Sequence, residues 1–141
     1  MTTEPTPQGT RNFLGIFSIM LGCFPMGVSV GIVQVDPATV HVPLWVLFAC
    51  GEVFVMTGVM LIWGEKYPRF NHLCAAILTG SMGAIATWIA IFSDAAGFSG
   101  GIPFIPQDLN ILIGRCFIGF GAVLSFLITV YAITQFFKKE P

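Results

Sequence analysis

Charged residues are scarce in this chain of 141 residues. Only 9% of its residues are Asp, Glu, Lys or Arg, whereas 55% are hydrophobic and the mean hydropathy is +0.86. An ordinary soluble domain carries about 25% charged residues. The composition therefore excludes a typical soluble domain and predicts an integral membrane protein surrounded by the lipid bilayer.

Several patterns that indicate specific chemistry are missing as well. The sequence contains no Cys-x-x-Cys pair, no Ser-His-Asp or Cys-His arrangement and no Gly-rich phosphate loop after a strand. The net charge is -1, and no basic cluster is large enough to grip nucleic acid. We therefore expect no enzyme activity, no cofactor and no nucleic-acid partner.

What the chain does contain is long apolar runs. An α-helix rises ~1.5 Å per residue, so about 20 apolar residues cross a ~30 Å hydrocarbon layer. The short alternating segments of a membrane barrel are missing, which leaves helices as the way to satisfy the backbone. We predict an all-α membrane protein whose four transmembrane helices form an up-down bundle over residues 13–137. The predicted spans are 13–33, 43–63, 72–93 and 109–131.

The remaining residues predict two tails and an orientation. Residues 1–12 are polar and rich in Pro and Thr, which is typical of a flexible tail, and 138–141 form a short second tail. Lys and Arg are missing from 34–42 and 94–108 and concentrate on the other side, at Arg11, Lys66, Arg69, Lys138 and Lys139. By the positive-inside rule both termini face the cytoplasm. The sequence has no Asn-x-Ser/Thr sequon, which fits a bacterial inner (cytoplasmic) membrane.

Small residues recur at intervals of four within two of the spans. Such stripes let helix backbones approach closely, which is a main source of helix association in lipid. We expect them to pack the chain's own helices, with dimerisation through the same faces as the alternative. The stripes are Cys23, Gly27 and Gly31 in the first span and Ala76, Gly80 and Ala84 in the third.

The second and fourth spans resemble each other. Aligning GEVFVMTGVML (51–61) with GRCFIGFGAVL (114–124) matches two glycine pairs, Gly51 with Gly114 and Gly58 with Gly121, together with a Phe and a Leu. We expect these four glycines to serve helix packing as well. The first and third spans align poorly. In a chain rich in Gly and Phe, four matches in eleven positions can also arise by chance. A duplicated helical hairpin, as in some transporter folds, is therefore a hypothesis.

Two opposite charges lie within the spans. Glu52 and Arg115 fall at similar predicted depths, and a charge near the bilayer centre costs at least ~2.5 to 3.5 kcal/mol on insertion scales. Both should therefore face away from lipid, and a guanidinium can bind a carboxylate through two hydrogen bonds. We predict an ion pair that clamps the second span to the fourth; the alternative is that the same pair lines a ligand or ion site.

Sulfur ligands offer a weaker alternative site. Cys23, Cys50 and Cys116 share the outer half of the predicted spans, and thiolates suit soft ions such as Cu(I). Without a ligand-type spacing, packing is the simpler role, and no metal site is predicted. His41 and His72 lie about a bilayer thickness apart, which argues against a haem held between them.

Two functions follow from these patterns. The first is an accessory or structural subunit that packs against other membrane subunits or further copies of itself, as small-residue stripes, short loops and few polar groups indicate. The second is a minimal oligomeric transporter or channel with Glu52 and Arg115 at its polar centre.

Overall fold

The computed structural model describes residues 6–94 and 103–138, and every element in these ranges is helical. Four of the helices are long and apolar enough to span a membrane, which confirms the predicted all-α membrane class. A short 3₁₀ turn at Pro37–Thr39 interrupts the first connection. The four long helices are α1 (Gln8–Ser29), α2 (Leu44–Trp63), α3 (Pro68–Phe92) and α4 (Gln107–Phe137).

Three helices extend beyond the apolar runs from which they were predicted; α3, for example, begins at Pro68 and not at residue 72. Helix α1 begins at Gln8, directly after Pro7, and so includes polar residues that were assigned to the tail. Helix α4 has 31 residues and is about 46 Å long, which exceeds a ~30 Å hydrocarbon layer. Its ends therefore reach the headgroup region, or the helix tilts. Residues 1–5 and 139–141 of the predicted tails lie outside the described residues.

Gly31 determines where α1 ends. Its φ is +79°, a left-handed conformation that glycine adopts without steric cost. The amide of Ile32 donates to the carbonyl of Gly27 over 2.9 Å, and the amide of Gly31 donates to the carbonyl of Val28 over 3.1 Å. These two bonds form a Schellman motif, which satisfies carbonyls that the helix end would leave open.

Successive helices pack against each other in antiparallel fashion. At each interface, residue numbers rise along one helix while those of their contacts fall along the other. The contacts are Gly15–Gly58 and Gly22–Gly51 between α1 and α2, Trp45–Trp88 and Glu52–Ser81 between α2 and α3, and Thr79–Thr129 and Gly83–Phe126 between α3 and α4. The α2–α3 interface is the smallest of the three, and α1 and α4 make no substantial contact with each other in the described residues. The up-down bundle that we predicted is therefore not confirmed; in the described residues the helices form two hairpins joined by the α2–α3 contact.

The interior of this series consists of small residues. The buried apolar side chains are Val46, Ala49, Cys74, Ala76, Ala122 and Ala132. Large apolar side chains face outward instead; Phe117, for example, is 73% exposed. In a bilayer such faces meet lipid or other membrane helices.

The two ends of the helices differ in composition. One end, called here the Trp45 end, has Trp45 and Trp88 in an edge-to-face contact with ring centroids 6.3 Å apart. The other, called the Arg11 end, is where α1 and α3 begin and α2 ends. Tyr67 lies there with the ammonium of Lys66 over its ring, 5.5 Å from the centroid. Aromatic rings at both ends are typical of membrane-water interfaces.

Candidate functional site

Glu52 is a carboxylate within the membrane-spanning part of α2. It lies eight residues after Leu44, or about 12 Å along the helix. Its side chain is half-buried against α3, where the hydroxyl of Ser81 donates to Oε2. The second oxygen, Oε1, is buried and accepts no hydrogen bond from any described residue. The carboxylate is thus held on one side only, at the junction between the two hairpins.

The predicted ion pair between Glu52 and Arg115 is not found among the described residues. Nη2 of Arg115 donates instead to the backbone carbonyl of Ser93, 2.7 Å away, at the C-terminal end of α3. In the part of the chain that the structure describes, α2 and α4 do not pack together substantially; α3 lies next to both of them. The ion pair that is present among the described residues is a different one, between Arg11 and Glu65 at the Arg11 end.

Helix-end electrostatics explain the position of Arg115. Carbonyl groups in the last turn of a helix carry partial negative charge and lack partners within the helix. A guanidinium on a long flexible stem can reach such a group while its methylenes stay in apolar surroundings. The predicted depth of Arg115 could not indicate this partner. Depth gives the position of the Cα atom along the helix but not the direction in which the side chain points.

Ser81 is the partner that sequence reasoning missed. A lone serine within an apolar span has no charge to indicate it as a partner for a carboxylate. An available signal was adjacency: consecutive spans joined by a short connection are neighbours, so α3 was the first place to seek a partner for Glu52. Opposite charge favours Arg115 as the partner of Glu52, whereas adjacency in the chain favours a residue of α3.

Each packed helix pair has a polar contact across it. Between α1 and α2, the hydroxyl of Ser18 donates to the carbonyl of Phe54 over 2.7 Å. Between α3 and α4, the hydroxyl oxygens of Thr79 and Thr129 are 2.8 Å apart. With Glu52 and Ser81 between α2 and α3, these contacts fix the register of the series.

Of the glycines expected to pack, Gly51 and Gly58 lie at the α1–α2 interface. A Cβ atom on Gly51 would be 2.5 Å from the carbonyl oxygen of Gly22, and one on Gly58 would be 2.5 Å from that of Gly15. Gly15 and Gly22 themselves were not among the expected packing residues. Their spacing of seven equals that of Gly51 and Gly58, and this matched spacing is the signal that could have found them.

The three small residues predicted to form a packing stripe in the first span have different surroundings from one another. Cys23 is exposed, Gly31 ends α1, and a Cβ atom on Gly27 would lie 3.1 Å from the Val33 side chain in the connection. Of the third span's stripe, Ala76 is buried, Gly80 would place a Cβ 3.6 Å from Thr129, and Ala84 is half-buried.

The glycines of α4 do not reproduce the packing of α2. Gly114 and Gly121 are both half-buried, and a Cβ atom on Gly121 would meet nothing within 4 Å, unlike its aligned residue Gly58. The alignment of the second and fourth spans therefore has no counterpart in packing at this position.

The side chains that commonly bind metal ions are dispersed in the part of the chain that the structure describes. In residues 6–94 and 103–138, no group of three or more His, Cys, Asp or Glu side chains is placed to hold a metal ion. The four cysteines are free thiols; Cys23 and Cys116 are exposed, Cys50 is half-buried and Cys74 is buried.

Comparison with protein-family models, curated proteins and solved structures finds no match for this chain.

Proposed function

We propose that this small integral membrane protein is an accessory or structural subunit of a membrane assembly. The observation that carries the proposal is the composition of the interior. A four-helix bundle that stands alone fills its centre with apolar side chains to native density. Here Val46 is the largest fully apolar side chain among the buried residues, and α1 and α4 leave the series open.

Helix α4 has a face suited to a partner helix. Gly121 has open space at its Cβ position and is flanked on the helix surface by Phe117 and Leu124, which are 73% and 44% exposed. A small residue between large apolar ones allows another helix to approach closely and gain van der Waals contact. Lipid chains can cover the same face, so the proposal requires a direct test.

The test is photo-crosslinking within the membrane. A photoreactive amino acid replaces Phe117 in the full chain, and the protein is extracted in mild detergent after illumination. We expect a crosslink to a polypeptide of different mass, which Gly121→Leu abolishes by filling the cleft. A product with twice the chain's mass would favour self-association, and no product from either variant would contradict the proposal.

Glu52 favours a second candidate, a minimal oligomeric transporter or channel. A carboxylate within a membrane span whose Oε1 lacks a donor is typical of ion and substrate paths. Arg115 is not part of this version, because it lies against Ser93. Reconstituted vesicles loaded with alkali cations or protons would reveal a flux that Glu52→Gln abolishes; the subunit proposal expects no flux from either protein.

The proposed location is the bacterial inner membrane with both termini in the cytoplasm. It is supported by the basic residues Arg11, Lys66, Arg69 and Lys138, which belong to the Arg11 end. Neither version of the proposal includes catalysis.

A further inference from the structure

A cavity of about 450 Å³ opens at the Arg11 end between α1, α2 and α3. Its wall contains three polar side chains from the helix ends, Arg11, Glu65 and Asn71. The deeper wall is mostly apolar, with Met60, Leu61 and Leu78 beside Thr57, whose hydroxyl donates to a carbonyl of its own helix. Leu78 lies ten residues after Pro68, about 15 Å into the span. The cavity is therefore polar at the membrane surface and mostly apolar below it.

Two buried polar atoms of this cavity lack partners among the described residues: Nε of Arg11, a donor, and Oδ1 of Asn71, an acceptor. Buried polar groups are nearly always hydrogen-bonded, so each such atom requires an explanation. The guanidinium of Arg11 also contacts Glu65, whose side chain is 78% exposed and keeps acceptor capacity toward solvent. One cation, one anion and one amide oxygen thus surround the mouth of the cavity.

We propose that the cavity binds one phospholipid whose headgroup combines a phosphate with a primary ammonium. The phosphate accepts hydrogen bonds from Arg11, and the ammonium donates to Oδ1 of Asn71 and to the carboxylate of Glu65. One acyl chain lies along Met60, Leu61 and Leu78. Trp63 and Tyr67, which are 45% and 51% exposed, hold this end at headgroup level.

Charge and donor chemistry distinguish this ligand from other lipids. Arg11 and Glu65 balance each other, so the mouth suits a zwitterion better than a headgroup with net negative charge. A choline headgroup has no N–H and leaves the amide oxygen of Asn71 unsatisfied. A soluble headgroup without acyl chains leaves the apolar wall uncovered. The ligand class is therefore an aminophospholipid, and the inference is independent of the assembly proposed above.

Lipid retention measured by native mass spectrometry tests the proposal. The full chain is placed in nanodiscs of phosphatidylethanolamine, phosphatidylglycerol and phosphatidylcholine in equal amounts and then released into the gas phase. We expect one retained phosphatidylethanolamine, favoured about tenfold over either competitor because it makes a further charge-assisted hydrogen bond. Equal retention of the three lipids, or preference for phosphatidylglycerol, would overturn the proposal.

Variants locate the binding in this cavity. Arg11→Gln and Asn71→Leu should each lower phosphatidylethanolamine retention about tenfold, and Asn71→Asp should preserve it because an acceptor oxygen remains. The matched control is Arg69→Gln, which removes the same charge at the same end but belongs to the wall of a different cavity. Equal losses in Arg69→Gln and Arg11→Gln would show general charge attraction and overturn the site.

Two further measurements complete the test. Circular dichroism and elution volume identify any variant that fails to fold, and Asn71→Leu keeps the test decisive if Arg11→Gln is unstable. Glycerophosphoethanolamine, the headgroup without acyl chains, is added as a soluble competitor. Failure to displace the lipid supports a role for the apolar wall, whereas full displacement at equal concentration would contradict it.

Discussion

Gly22 and Gly51 bring the backbones of α1 and α2 into contact, since a Cβ atom on either residue would collide with the carbonyl oxygen of the other. One heptad away, Gly15 and Gly58 repeat the arrangement in antiparallel order. Lipid is as apolar as a leucine side chain, so close packing rather than hydrophobic burial favours helix association in a membrane. The first hairpin is therefore held largely by residues that have no side chain.

Gly22→Ala should destabilise the protein. The new methyl group meets a backbone carbonyl, which cannot rotate away, so α1 and α2 must separate along the interface. Overpacking of this kind typically costs about 1 to 3 kcal/mol. Unfolding in mixed micelles of mild detergent and dodecyl sulfate, followed by circular dichroism, would measure the loss.

Gly119→Ala is the matched control for Gly22→Ala. It makes the same chemical change within a helix, but the added Cβ meets nothing within 4 Å. We expect a change of less than about 1 kcal/mol, the range of the difference in helix propensity. Similar losses for the two variants would mean that close backbone approach does not hold α1 against α2.

The contact between Glu52 and Ser81 should appear as an energetic coupling. Combining Glu52→Ala with Ser81→Ala should cost less than the sum of the single changes, by about 0.5 to 3 kcal/mol, because either change alone already breaks the hydrogen bond. Ser81→Thr, which retains the hydroxyl, should preserve most of the stability. Chemical unfolding of the four members of the cycle gives the coupling directly.

The same cycle with Arg115 serves as its control. Glu52→Ala and Arg115→Met should be additive within about 0.5 kcal/mol, as expected of residues without a shared partner. Arg115→Met should instead speed hydrogen exchange of the Ser93 amide, which bonds to the carbonyl of Ile89 at the end of α3. Strong coupling of Glu52 to Arg115 would restore the ion pair that the sequence predicted.

Thr79 and Thr129 should contribute little despite their short contact. Each hydroxyl also lies 2.8 Å from a carbonyl of its own helix, Ala75 for Thr79 and Ser125 for Thr129. Hydrogen bonds between membrane helices average about 0.6 kcal/mol, since the separated helices satisfy the same groups internally. Replacing both threonines by valine should therefore cost under about 1 kcal/mol in the same unfolding measurement, and a loss as large as that of Gly22→Ala would contradict this account.

The class of fold could be predicted from the sequence because the hydropathy of a span is summed over about 20 residues. One or two polar residues within the span do not change that sum enough to hide it. The ends of the helices were harder to predict. Polar residues from Gln8 onward read as a tail, yet they complete the first turns of α1 beyond the hydrocarbon layer. Helix ends depend on capping and on backbone geometry, as at Gly31, and hydropathy records neither.

Side-chain partners were less predictable than helices. The position of Glu52 within an apolar span indicates that its carboxylate needs a partner, but position along a helix does not say which neighbouring helix the side chain faces. The order of the helices decided between Ser81 and Arg115, and that order is a property of packing. Glycine contacts such as Gly22 with Gly51 are similarly visible only when both helices are in place.

The orientation of the chain can be tested with reporter fusions in a bacterial host. Lys66, Arg69 and Lys138 all belong to the Arg11 end, and basic residues near span ends stay on the cytoplasmic side during insertion. Green fluorescent protein fused to the C-terminus should therefore fluoresce, and alkaline phosphatase fused there should be inactive. The phosphatase inserted after Ala38, in the connection at the Trp45 end, should be active because the proposed orientation places that connection outside the cytoplasm. Phosphatase activity at the C-terminus with none after Ala38 would show that the orientation is the reverse of the one proposed. The proposed lipid cavity at the Arg11 end would then lie in the outer leaflet.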